Sequence, residues 1–214
     1  MPVQVQGNAG VVAEVESATR AVRATLRPTD PTTLGAYRKS LVSGSIAAGM
    51  SANSPVYSFR YGAANLALVK YIVIGLGDSG TAFAAGVVSL QGFVARSFTA
   101  SDSSGTAGTL TGNNGKLRTS FATTGVSDIR IANTGTLSAG TRTLDTDPFV
   151  TVSTSVTATS GQSFGTSLEM LRTRPGDQPL VLAQNEGFII QANVPATGLW
   201  QLAVDVYWDE VSSW

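Results

Sequence analysis

Hydrophobic and polar residues alternate with a period of two along residues 180–211. This period places successive side chains on opposite faces, which is typical of a β-strand with one buried and one wetter face. Residues 195–198 form a turn signal between two such runs, so the pattern predicts an antiparallel hairpin that closes an all-β domain. The residues predicted to face the core are Phe188, Ile190, Ala192 and Val194 in the first run and Leu202, Val204, Val206 and Trp208 in the second.

Strand-like runs separated by turn signals recur earlier in the chain, as expected of a β-sandwich or barrel. Residues 66–74 are apolar on both faces, which predicts a strand covered from both sides at the centre of a sheet. We therefore expect an all-β, antiparallel, jelly-roll-like sandwich over residues 37–214. The other candidate strands are residues 37–46, 56–61, 87–98, 117–121, 149–158 and 180–183.

The first 36 residues differ from the rest, because Pro28 and Pro31 punctuate them and arginines recur at short intervals. Their apolar residues fit both helix-like and strand-like spacing, so periodicity leaves the secondary structure open. We expect residues 1–36 to form an extended N-terminal arm. This arm either docks on a neighbouring subunit or supplies an edge strand to the same domain.

Composition excludes several classes of partner. The 214 residues suit one all-β domain with an extension. The formal net charge is zero, 13% of residues are charged and no Lys/Arg run occurs, so no nucleic-acid partner is expected. The most apolar stretch, residues 66–76, contains Lys70 and is shorter than the roughly 20 residues that span a bilayer. No apolar leader-like segment follows Met1, so we expect a soluble, unsecreted protein without a membrane partner.

The absence of cysteine and histidine restricts the possible chemistry. Disulfides, thiolate sites and the usual ligands of zinc, copper and haem are excluded, which leaves ions bound by oxygen. Asp145 and Asp147 form a close acidic pair that suggests calcium. A solvated turn before Pro148 is the favoured interpretation, because no third carboxylate or EF-hand spacing accompanies the pair. We expect no metal and no cofactor.

Residues 75–80 match the dinucleotide fingerprint G-x-G-x-x-G and follow an apolar strand. A helix should begin within such a motif, but residues 84–89 contain an internal glycine and β-branched valines, and no strand–helix alternation follows. Asp102 has about the spacing of a ribose-binding acid, yet it falls in a Ser/Gly-rich stretch. A chance match in a glycine-rich chain is the better interpretation.

The same region contains Gly77, Asp78, Ser79 and Gly80, which resemble the nucleophile motif of chymotrypsin-like proteases. That chemistry needs an imidazole to accept the serine proton, and the chain has no histidine. A Ser–Lys variant would need one of three lysines, none of which is paired locally with a serine. These lysines are Lys39, Lys70 and Lys116. A glycosidase needs two carboxylates close in space, which sequence alone does not reveal, so that hypothesis stays open.

Two further features suggest contact surfaces. Residues 100–115 are almost entirely Ser, Gly, Thr, Ala and Asn, which predicts a long exposed loop, either a contact surface or disordered. Four aromatic residues could form a carbohydrate-stacking platform or a subunit interface. By alternation Trp208 shares the face of Leu202 and is predicted to lie in the core. The four aromatic residues are Trp200, Tyr207, Trp208 and Trp214.

Four stretches carry a resemblance to a known group of proteins: LGAYR at 34–38, ARSFTA at 95–100, LTGNNGKLRT at 110–119 and LAQNEGF at 182–188. In these the chain resembles tailed-bacteriophage virion proteins. None of the stretches is a catalytic signature. The resemblance implies a place in a virus particle, assembled in the host cytoplasm, and no particular reaction.

Three functional hypotheses follow. The first is a non-enzymatic virion structural protein, a homo-oligomeric capsid decoration or cement protein that docks on neighbouring capsid subunits. The second is a tail fibre, spike or collar module that binds a receptor or a glycan, with exposed aromatic residues around a groove. The third and last is a carbohydrate-active enzyme with paired carboxylates in a cleft.

Overall fold

The computed structural model describes residues 5–6, 12–15, 22–23, 33–159, 167–174 and 177–214. The chain divides into two compact units, Met1–Pro31 and Thr32–Trp214. Strands β1, β2 and β3 of the first unit pair antiparallel with one another. They are Val5–Gln6, Val12–Val15 and Val22–Arg23, so the described residues of this unit are strands rather than helix.

The second unit is a sandwich of two antiparallel sheets, which confirms the predicted all-β class, and none of its described residues is helical. Its strands are β4 Thr33–Val42, β5 Ile46–Ala47, β6 Ser54–Tyr61, β7 Leu66–Asp78, β8 Gly86–Ala100, β9 Thr106–Ala107, β10 Val126–Ile131, β11 Thr141–Leu144, β12 Val150–Val156, β13 Leu168–Arg172, β14 Leu180–Leu182, β15 Glu186–Asn193 and β16 Leu199–Val211. The arm boundary predicted after Ala36 lies inside β4.

Each sheet is named here after its C-terminal strand. The β16 sheet has the order β13–β7–β16–β4, with β14 pairing beside β7 and β5 beside β16. The β15 sheet has the order β11–β8–β15–β6–β10–β9, with β12 pairing beside β8. Strand β7 has partners along both edges, in agreement with the central strand predicted from its apolar faces.

The connectivity is that of a jelly roll. Early strands pair with late strands: β4 with β16, β6 with β15, β7 with β13 and β14, and β8 with β11 and β12. The chain can therefore be viewed as one long antiparallel ribbon that is wrapped into two sheets, as in the jelly rolls of viral capsid and lectin domains.

One prediction about the C-terminal region was wrong. Both strands exist, but β15 lies between β6 and β8 whereas β16 lies between β4 and β7, so they do not form a hairpin. The five-residue link 194–198 crosses the roughly 10 Å between sheets. Backbone hydrogen bonds tie this link to other loops, from Gly49 N to Pro195 O at 2.9 Å and from Ala48 N to Gly198 O at 2.9 Å.

A second prediction was also wrong, because residues 117–121 form turns and bends rather than a strand. Their neighbour Lys116 makes only an isolated bridge with Tyr37. The strands that the pattern did not predict are β9, β10, β11 and β13. All of these have six residues or fewer, which is too short for the side-chain period to give a clear signal.

Large aromatic side chains join the two sheets in the core. Trp208 is fully buried, as predicted, and stacks on Tyr37 of its own sheet with ring centroids 5.5 Å apart. Phe59 of the β15 sheet meets Trp208 edge-on at 5.2 Å and stacks on Phe188 at 5.1 Å. Burying each such ring removes a large apolar area from water, which stabilises the fold by roughly 1.5–3 kcal/mol per side chain.

Buried polar contacts hold the long connection between β8 and β10. Most side chains of residues 100–115 are exposed, as predicted, but Asp102 is buried and forms an ion pair with Arg142. Farther along, the carboxylate of Glu210 accepts hydrogen bonds from Thr124 Oγ1 at 2.5 Å and from Gly125 N at 2.8 Å. The connection is therefore fastened near both of its ends.

Candidate functional site

A cleft of about 530 Å³ lies on the face of the β16 sheet that points away from the core. We call it the tyrosine cleft, and its lining residues are Arg38, Lys70, Tyr71, Leu117, Arg172, Thr173, Arg174 and Tyr207. The volume falls within the range of about 300–1,000 Å³ typical of small-ligand sites.

The centre of the cleft is a row of side chains that crosses four strands. Arg38 of β4 pairs in register with Tyr207 of β16, which pairs with Tyr71 of β7, which pairs with Arg172 of β13. The two-residue period that turns Val206 and Trp208 into the core turns Tyr207 outward. The Arg172 guanidinium lies 5.3 Å from the centre of the Tyr71 ring, a cation–π distance.

Acidic side chains balance most of the positive charge at the cleft. Arg38 Nε lies 2.9 and 3.0 Å from the two carboxylate oxygens of Asp205, and this pairing raises the pKa of Arg38. Lys70 forms an ion pair with Asp209, and the third pair joins Arg172 to Glu169 at 2.8 Å. The charged partners hold these cations in fixed positions.

Arg174 differs from these three cations. Its side chain is exposed and makes no ion pair within the described part of the chain. Its backbone N–H donates to Asp177 Oδ2 at 2.9 Å, so a carboxylate is close by. The Arg174 guanidinium therefore donates no hydrogen bond to any side chain among the described residues.

Two polar side-chain atoms near the cleft have unused hydrogen-bonding capacity, and one of them belongs to the ion-paired Asp209 carboxylate. Thr173 Oγ1 is buried and has no hydrogen-bond partner among the described residues, and the same holds for Asp209 Oδ1. Burial and, to a lesser extent, the Asp209 charge raise the pKa of Tyr207 to about 12, so its hydroxyl is neutral at physiological pH. Neither unpartnered atom is accessible as the side chains stand, so a ligand hydroxyl would reach Thr173 Oγ1 only after that side chain rotates.

The sequence motifs for nucleotide binding and proteolysis fall in ordinary structural positions. The first four residues of the motif at 75–80 belong to strand β7 and continue its ladder with β16. Asp102, the residue with the spacing of a ribose-binding acid, forms an ion pair with Arg142 instead. Ser79 Oγ lies 2.5 Å from Ser45 Oγ, whereas Lys39 Nζ donates to Thr109 O at 2.9 Å.

The structure also locates the predicted acidic pair Asp145 and Asp147, of which Asp147 is exposed, and the residues of the predicted aromatic platform. Arg96 binds Asp145 through Nε and Nη2, each at 3.2 Å. No group of three or more His, Cys, Asp or Glu side chains converges as a metal site would require, among the residues that the structure describes. Trp200 and Trp208 are buried in the core, and Trp214 is 62% exposed, so of the four aromatic residues only Tyr207 lies in the cleft.

A second surface of interest is the outer edge of strand β12, which we call the β12 edge. All seven residues of β12 pair with β8 without a register shift, and no second strand pairs with β12 in the described ranges. Thr151, Ser153 and Ser155 are exposed, while Val150 and Val152 reach the core but are only partly buried.

The β12 edge lacks the devices that usually protect a sheet edge, which include charges, proline and bulges. The other long edge differs, because residues 115–117 cover part of β4. Arg38 N donates to Gly115 O at 2.7 Å, and Leu117 N donates to Ala36 O at 3.0 Å. On the β7 side of the same sheet, β13 carries a register shift and two charged side chains.

The described residues contain no helix with the length and apolar character that a membrane span requires. Comparison with protein-family models, with curated proteins and with solved structures found no match to this chain.

Proposed function

We propose that this chain is a non-enzymatic structural protein of a tailed-bacteriophage particle. In this proposal it is a capsid decoration or cement protein that docks on neighbouring capsid subunits and associates with its own copies. The observation that carries the proposal is the β12 edge, with which no strand pairs among the residues that the structure describes. A row of unpaired backbone donors and acceptors is a template for a strand of another chain.

The side chains of the β12 edge suit such an addition. Its seven residues carry no charge, so a second strand meets no like-charge repulsion and little desolvation penalty. An added strand would also cover Val150 and Val152, which β8 leaves partly exposed. Jelly-roll domains are a recurrent component of viral capsids, which adds support from the fold alone.

The N-terminal unit supplies a second expected contact. Met1–Pro31 forms a compact unit of its own, and its described strands pair with one another. Segments exchanged between subunits extend an interface without requiring a new domain. In this proposal the unit fastens the protein to a neighbouring subunit.

Deleting Met1–Pro31 is expected to leave a folded sandwich that no longer binds particles, because β4 and its ladder with β16 remain whole. The measurement is co-sedimentation of the purified variant with particles from which the protein has been removed, alongside its melting temperature. Binding equal to that of the full chain would contradict a docking role for this unit.

The double variant Thr151→Lys and Ser155→Lys is expected to abolish self-association and reduce particle binding at least tenfold. Both side chains are exposed, so the lysines place charge along the edge without entering the core. Light scattering after size-exclusion chromatography measures the oligomeric state, and co-sedimentation measures particle binding.

The matched control is Thr119→Lys with Thr123→Lys, which adds the same charge at exposed positions in the β8–β10 connection. This control is expected to assemble and bind like the original chain. Equal loss of assembly in both double variants would show that net charge, rather than the β12 edge, decides association.

A second candidate function is a tail fibre, spike or collar module that binds a receptor or glycan. One specific observation favours it, namely the pair of outward-facing tyrosines in the tyrosine cleft. The position of the protein in an image reconstruction of the whole particle separates the two functions. Density on the capsid lattice supports the first, whereas density at the tail tip supports the second.

A further inference from the structure

We propose that the tyrosine cleft is a binding site for an uncharged saccharide. The inference extends the second candidate function by naming its ligand class. It does not depend on the docking role of the β12 edge, because the two surfaces use different strands.

The aromatic surface of the cleft matches one property of a sugar ring. A pyranose presents an apolar face of C–H groups and a rim of hydroxyls, so it stacks on an aromatic ring while its edge remains hydrogen-bonded. Tyr71 and Tyr207 lie side by side on adjacent strands and both line the cleft. The remaining three tyrosines of the chain are buried in the core. Leu117, which is 55% exposed, extends the apolar surface.

The polar groups around these rings match the hydroxyl rim. Arg174 offers an exposed guanidinium, and Arg38 uses Nε and Nη2 for Asp205 but makes no hydrogen bond through Nη1 among the described residues. Sugar hydroxyls accept hydrogen bonds from such planar donors. Thr173 Oγ1 is buried and unpartnered, so its side chain would have to rotate toward the cleft before the hydroxyl could bond to a sugar.

Charge balance selects an uncharged ligand over a polyanion. Three of the four cations that line the cleft are paired with Asp205, Asp209 and Glu169. The fourth, Arg174, has the Asp177 carboxylate bound to its own backbone N–H. A phosphate- or sulfate-rich ligand would have to compete with these carboxylates, whereas a neutral sugar would not.

The first test is binding of the full chain to immobilised neutral oligosaccharides, represented by maltotriose, mannotriose and chitotriose. Sialylated and sulfated oligosaccharides serve as the acidic comparison. We expect binding to at least one neutral probe, with an affinity that changes less than twofold between 50 and 500 mM NaCl. Binding to acidic probes alone, a steep loss of affinity with salt, or no binding at all would overturn the proposal.

The second test assigns that binding to the cleft. Tyr207→Ala is expected to weaken it about tenfold, since an aromatic contact contributes up to about that factor. Tyr71→Ala removes the neighbouring ring of the cleft and is expected to weaken binding by a similar factor. This second variant keeps the test decisive if Tyr207→Ala folds poorly.

Val87→Ala, an exposed apolar position on the β15 sheet, is the control and is expected to bind like the original chain. Unchanged affinity in both cleft variants would overturn the assignment. All these measurements use isolated protein. A negative result would therefore not contradict the particle-docking proposal, which is tested by co-sedimentation with particles.

Discussion

Replacing Trp208 by alanine is expected to lower the free energy of unfolding by about 3–5 kcal/mol, the range measured for large aromatic residues in packed cores. The indole is fully buried, stacks on Tyr37 and meets Phe59 of the opposite sheet edge-on. Its Nε1 also donates to Glu210 Oε1 at 3.3 Å, so truncation removes one of the donors to a buried carboxylate. Urea unfolding followed by circular dichroism measures the change.

Trp214→Ala is the matched control, because this tryptophan is 62% exposed and contacts Gln178 Oε1 through Nε1 at 3.3 Å. It is expected to change stability by no more than about 0.5 kcal/mol, as surface substitutions generally do. Similar losses in both variants would mean that Trp208 does not join the two sheets as the core packing indicates.

Replacing Asp102 by alanine is expected to destabilise the protein by about 3–5 kcal/mol, because it leaves the partner charge buried and unpaired. The Arg142 side chain is 5% exposed, and its guanidinium lies 5.4 Å from the centre of the Phe98 ring. Burial lowers the pKa of Arg142, because the guanidinium is poorly solvated. Asp102 Oδ1 also accepts from Gly140 N at 2.8 Å, so the 101–105 segment should loosen as well.

Adding Arg142→Met to Asp102→Ala provides the control. The double variant is expected to recover most of the lost stability, because removing both members of a buried ion pair is often close to neutral. Thermal unfolding measures both variants, and limited proteolysis reports on the 101–105 segment. A double variant as unstable as the single one would contradict an unpaired charge as the cause.

The strands that could be predicted from sequence are those with strong alternation or a continuous apolar run. Strands β6, β7, β8, β12 and β16 are long enough for side-chain period and β-branched composition to reveal them. Strand pairing was harder to predict. The link 194–198 has the composition of a hairpin turn, yet backbone contacts with residues 48 and 49 hold it as a crossing between sheets. Such contacts between distant loops leave no signal in a single sequence.

The tyrosine cleft illustrates the same limit. Alternation alone assigned Trp208 to the core, and therefore placed Tyr207 on the outer face. The other members of the row are distant along the chain, at positions 38, 71 and 172, and only strand register brings them together. The signal that was available was the outward-facing pair Asp205 and Tyr207 on a strand whose opposite face is apolar from Trp200 to Trp208.

The placement of β16 has a consequence for biosynthesis. Residues 199–211 form an inner strand of their sheet, and β4, at residues 33–42, has no other strand partner among the described residues. A nascent chain leaving the ribosome therefore exposes the unpaired side of β4 until more than 150 later residues have been translated. Pairing between such distant segments is slow and favours aggregation while it is incomplete. We expect this sandwich to close only after residues 199–211 have left the ribosome, and to need protection until β16 is inserted.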